Sequence, residues 1–94
     1  MVESTGRFET AHGPKYLTQL CKHFAHKIEV VHGERHGECR FSFGTAVMDA
    51  DDEALTVRLA VSEADQLPQA KAVIADHLAR FAFREEDRAI AWSS

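Results

Sequence analysis

Tyr16-Leu17-Thr18-Gln19-Leu20-Cys21-Lys22-His23-Phe24-Ala25-His26-Lys27 is the stretch on which the fold turns. At about 100° per residue on a helix, Tyr16, Leu17, Leu20, Phe24 and the following Ile28 fall within one arc. The spacing predicts an amphipathic helix from about Pro14 to His26, with that arc against a core and Pro14 in the first turn, where its missing N–H does no harm. His23 lies on one rim of the arc, beside Tyr16 and Leu20. Cys21 lies on the other rim, and His26 points outward one turn from His23. On a helix, Cys21 and His23 diverge by roughly 160° and cannot share an ion. Only His23 and His26, at i and i+3, form a candidate divalent-metal pair, and two imidazoles are half of a usual zinc shell. No cofactor is otherwise evident.

Such a helix needs a flat apolar partner, and the residues after it supply one. Ala54 to Ser62 carries the strongest alternation in the chain, with Leu55, Val57, Leu59 and Val61 inward and Thr56, Arg58 and Ala60 outward. Glu38 to Phe43 alternates too, with Cys39, Phe41 and Phe43 on one face. Lys27 to Val31 and Thr45 to Ala50 read as further strands, separated by turns at 33–37, at Gly44 and at Asp51-Asp52-Glu53. Upstream, Arg7 to His12 reads as a short, weakly alternating strand, and residues 1–6 as loose. Downstream, Asp65 is expected to cap a second helix over about 66–83, with Leu67, Ala70, Ile74, Leu78 and Phe81 as its stripe and His77 on the edge of it. Residues 84–94 read as a tail whose Trp92 folds back on a core edge.

The predicted order is β-α-β-β-β-β-α, in a single domain spanning residues 1–94. The fold class is α+β: one antiparallel sheet with both helices on one face, an arrangement that buries every apolar stripe.

The totals narrow the function. The net charge of −4 argues against a nucleic-acid backbone as main partner, because phosphate neutralisation needs clustered Lys and Arg. The outer sheet face, with Arg7, Glu9, Lys27, Glu29, Glu38, Arg40, Thr56 and Arg58, is mixed in sign and lacks the aromatic residues of a stacking platform. No apolar run approaches the ~20 residues of a membrane span, and the first residues lack an apolar signal region, so the cytoplasm is the expected location. Cys21 and Cys39 are expected as free thiols filling small apolar spaces. There is no nucleophile elbow, phosphate loop or zinc-protease helix, and the acidic run at 51–53 reads as a turn, so the reading leans away from an enzyme.

What remains is a ligand-binding or accessory module. His23 and His77, on facing rims of two helices laid side by side, are expected to meet in the groove between them, with Arg80 as a further ligand-binding residue. The partner would be a small ligand or a protein. The alternative is an interaction protein that forms a homodimer through a sheet edge.

Three strings are distinctive: Tyr-Leu-x-x-Leu-Cys-Lys-His-Phe-Ala-His-Lys at 16–27, Phe-Ser-Phe-Gly at 41–44 and His-Leu-Ala-Arg-Phe-Ala-Phe-Arg at 77–84. Together they resemble the bacterial family called domain of unknown function 2218, over about Phe8 to Trp92. The resemblance implies no defined activity. Some members of that family occur beside or fused to siderophore-interacting reductases, which implies a link to iron handling. The element order is also similar to the TATA-binding-protein-like fold, an analogy of architecture that carries no function by itself.

Overall fold

The computed structural model describes residues 2–85 and 89–93. The strands are β1 (Val2–Glu9), β2 (Glu29–His32), β3 (His36–Phe41), β4 (Gly44–Ala50), β5 (Ala54–Val61) and β6 (Ala91–Ser93). The helices are α1 (Gly13–Phe24) and α2 (Leu67–Phe81). The six strands form one antiparallel sheet in the order β2-β3-β4-β5-β1-β6. The order read from the sequence is present, and one strand is added at its end.

The sheet face that turns inward is set by period two. On β5, Leu55, Val57, Leu59 and Val61 are buried while Arg58 is exposed; on β4, Ala46 and Met48 are buried while Thr45 and Asp49 face out. Both helices lie on this inner face. Tyr16, Leu17, Leu20, Cys21 and Phe24 of α1 share one core with Leu67, Ala70, Ile74 and Leu78 of α2. Leu17, Leu59 and Ile74 are fully buried. Truncating any of them to Ala would cost about 2–5 kcal/mol, a large part of the stability of a domain this size.

Several boundaries differ from the sequence reading. Residues 2–6 are not loose: they are the first part of β1, paired from Val2↔Val61 onward. This strand ends at Glu9, before the expected His12. Met1, at the start of the segment read as loose, lies outside the described residues. The expected tail is not only a tail. Its Ala91–Ser93 is the edge strand β6, paired Gly6↔Trp92 and Thr5↔Ser93, while 86–88 and 94 lie outside the described residues. Gly6 faces inward beneath this pairing. A Cβ there would come within 2.6 Å of Ile90 Cγ2 and 2.7 Å of the Trp92 ring, so β1 leaves room that the last strand fills.

The start of α2 also differs. A short 3₁₀ turn, Ala64–Gln66, leads into the helix, and the Glu63 N–H donates to Gln66 Oε1 at 3.0 Å, so Asp65 is not its cap. Lys27, expected on the outer sheet face, precedes β2 and lies in the loop after α1. No helix among the described residues is long and apolar enough to cross a membrane.

Candidate functional site

The groove between the helices is where the chemistry gathers. His23 comes from the last turn of α1 and His77 from the third turn of α2, and their ring centroids are 4.8 Å apart, tilted at 48°. Phe24 meets His77 at 5.0 Å and Phe41 edge-on at 5.0 Å, and Phe81 meets His23 edge-on at 6.1 Å. Phe41 reaches the groove from the end of β3. The next two residues form the hairpin loop, and Phe43 stacks on Phe41 at 4.8 Å with the rings 9° from parallel. Gly44 makes that loop feasible: its φ of +151° suits a residue without a side chain, and a Cβ would come within 2.1 Å of the Ala60 carbonyl oxygen.

Between these groups lies a cleft of about 230 Å³. Phe24, Ile28, Phe41 and Val73 give it apolar walls, and His23, His77 and Lys27 complete its lining. The two histidines are not equivalent. His77 Nδ1 lies 2.7 Å from the Val73 carbonyl oxygen. A carbonyl can only accept, so Nδ1 carries the hydrogen, and in the neutral ring Nε2 is left as the acceptor. His23 is exposed, and its pKa is held below the ordinary imidazole value. Desolvation is the leading cause, followed by electrostatic effects of the basic side chains His77, Arg80, His26 and Lys27.

Of the residues singled out from the sequence, His23 and His77 are thus brought together, and Arg80 lies close enough to act on His23 while itself exposed. His26 is exposed and does not line the cleft. Among the described residues no group of three or more His, Cys, Asp or Glu side chains is placed to hold a metal ion, so the His23/His26 pair has no third protein ligand there. Sequence reasoning missed Lys27, Phe41 and Val73 as lining residues. Only Phe41 carried a signal, through its alternation with Cys39.

Cys21 and Cys39 are both free and fully buried, on the side of α1 away from the groove. Cys21 packs over Gly37, where a Cβ would come 2.6 Å from its Sγ. The Cys39 thiol is pushed up by its hydrogen bond to Cys21 and by burial. The same hydrogen bond holds the Cys21 thiol below its ordinary value, and it is full burial that keeps both sulfurs from reagents.

A second polar cluster lies at the other end of the helices. Glu85 Oε2 accepts hydrogen bonds from Tyr16 at 2.6 Å and from Thr10 Oγ1 at 2.9 Å. Burial, and then the Glu85 carboxylate, push the Tyr16 phenol up to about 12. This cluster ties the end of β1, α1 and the segment after α2 together.

The fold and its groove define a small α+β domain with an aromatic, imidazole-edged cleft between two helices on one face of an antiparallel sheet. Residues 5–93 match the family described as "Uncharacterized protein conserved in bacteria (DUF2218)", and the chain belongs to that family. It is similar to PA4090 from Pseudomonas aeruginosa, solved by NMR, at 32% sequence identity and a TM-score of 0.82, over 99% of this chain and 96% of that one. No curated protein matches the chain.

Proposed function

We propose that this protein is a cytoplasmic, non-enzymatic ligand-binding module whose site is the His23/His77 cleft. The observation that carries the reading is the convergence of two imidazoles, one with a fixed tautomer, on an apolar cleft edged by a lysine. Ligand sites are characteristically concave and mostly apolar, with a few placed polar groups. The link to iron handling implied by the family resemblance would enter through the ligand held there, because His23 and His26 supply only two of the donors an ion needs.

The test is an NMR titration of the labelled protein with a library of single-ring fragments, and separately with Zn²⁺ and Fe²⁺. Ring resonances of His23 and His77 should move with fragments of the right class. A full titration in which neither histidine moves would sink the reading.

One feature favours a second reading, a homodimer formed through a sheet edge. Strand β2 is the outermost strand on its side, and its Val31 is 68% exposed. An uncovered edge strand is a template for pairing with another copy. Light scattering at rising protein concentration separates a dimer from a monomer.

A further inference from the structure

We propose that the cleft between α1 and α2 selects a small aromatic monocarboxylate and takes up one proton at His23 when it binds. This rests on the reading of the cleft as a ligand site and adds the chemistry of the ligand.

Size and walls give the ring. The cleft, at about 230 Å³, lies below the roughly 300–1,000 Å³ of drug-sized sites, so it suits one ring system. Phe24 and Phe41 already meet edge-to-face at 5.0 Å, and Ile28 and Val73 complete apolar walls against which a flat ring can lie.

Charge gives the head group. The chain as a whole is acidic, with 15 Asp and Glu against 11 Lys and Arg. The cleft is the reverse. Among the described residues, every charged or titratable group found acting on His23 is basic: His77 and Arg80 from α2, His26 and Lys27 from the end of α1 and the loop after it. The remaining ring neighbours of His23, Phe24 and Phe81, are uncharged. A local positive field in a negative protein, beside a lysine that lines the cleft, complements one anionic group.

The proton follows from the same field. Desolvation and four basic neighbours hold His23 below its ordinary value when the cleft holds no anion. A carboxylate placed among them reverses the balance and favours the imidazolium, by reciprocal linkage between anion and proton. At His77 only Nε2 is open to the ligand, because the Nδ1 hydrogen is committed to the Val73 carbonyl.

The experiment uses the whole chain and three probes, each titrated by calorimetry and by NMR of the histidine rings between pH 6 and 8. Benzoate carries ring and charge, benzamide the ring alone, and inorganic phosphate the charge alone. Benzoate should shift His23 and His77 and weaken as pH rises, by at most about tenfold per pH unit for one linked proton. Benzamide and phosphate should bind at least about fivefold more weakly, as expected when one charge-assisted contact or the ring contact is lost. His23→Gln should remove the pH slope. Lys27→Gln and Arg80→Gln should each weaken benzoate more than benzamide, with circular dichroism confirming that each variant is folded. Benzamide matching benzoate in the cleft, without proton uptake, would overturn the carboxylate assignment while the cleft still stood as a ligand site. Phosphate matching benzoate would overturn the aromatic half. If no probe and no fragment moves either histidine, the site reading falls as well.

Discussion

Replacing Tyr16 by Phe removes one oxygen and nothing else from a buried position, and its effect on stability should depend on pH in a defined way. The Tyr16 hydroxyl donates to Glu85 Oε2 at 2.6 Å, and the side chain is 5% exposed. A hydrogen bond to a charged acceptor contributes about 1.5–3 kcal/mol, so at pH 8 the variant should be less stable by that amount. The wild-type phenol titrates from about 10 in the unfolded chain to about 12 in the folded one, through burial first and the Glu85 carboxylate second. A raised folded value means the contribution is fully present below the unfolded value and is lost as pH climbs through the folded one. A gap of this size corresponds to about 2.7 kcal/mol, of which about 1.4 kcal/mol is gone by pH 11. Phenylalanine has nothing to titrate. The stability difference between the two proteins should therefore shrink by about 1.4 kcal/mol between pH 8 and pH 11. Urea unfolding followed by circular dichroism at both pH values measures it, and groups common to both proteins cancel in the difference. A difference that stays constant across that range would refute the role given to the phenol.

Three further outcomes are expected. Gly6→Ala sets a methyl group 2.6 Å from Ile90 Cγ2 and should push β6 off the sheet at a cost of about 1–3 kcal/mol; Trp92 emission should move to the red while far-UV dichroism is largely kept. His36, held by Glu38 at 3.0 Å and Asp49 at 2.7 Å, should titrate above the ordinary imidazole value in a ring-proton NMR titration, and both Glu38→Gln and Asp49→Asn should bring it down. Because that value is raised, the stabilising contact is present below the ordinary imidazole range and lost as pH rises through the raised value. Cys21 and Cys39 should resist an aromatic disulfide reagent in the folded protein and react together on unfolding; rapid labelling of one thiol under native conditions would contradict their burial.

The parts of the fold that were legible are those in which each segment buries its own bulk. Leu55, Val57, Leu59 and Val61 declare β5 by themselves, and the stripe from Tyr16 to Phe24 declares α1. The first half of β1 was illegible for the opposite reason. Its inward positions there are Val2, Ser4 and Gly6: the space over Gly6 is filled by Ile90 and Trp92 from the other end of the chain, and the Ser4 hydroxyl donates to the Ser93 carbonyl at 2.9 Å. No pattern within residues 2–6 can show a complement more than eighty positions away, and a three-residue strand such as β6 is too short to show a period. The meeting of His23 with His77 followed from the angular positions of two rims, once both helices shared a face. Lys27 and Phe41 were harder, since their place in the cleft depends on where α1 ends and where the β3–β4 hairpin turns. The Thr10–Tyr16–Glu85 cluster depends on the path after α2, which no local periodicity encodes.

The lateral pairing of β1 with β6 puts Thr5 opposite Ser93, so the two ends of this stretch of polypeptide emerge side by side from one margin of the sheet. Topologically, the domain is close to a closed ring cut at that margin. A short glycine linker from Ser93 to Val2, with a new opening in the exposed Asp51-Asp52-Glu53 turn, should give a circular permutant with the same architecture. The same geometry makes the domain a cassette: it can be inserted into a surface loop of a host protein without stretching the host's backbone.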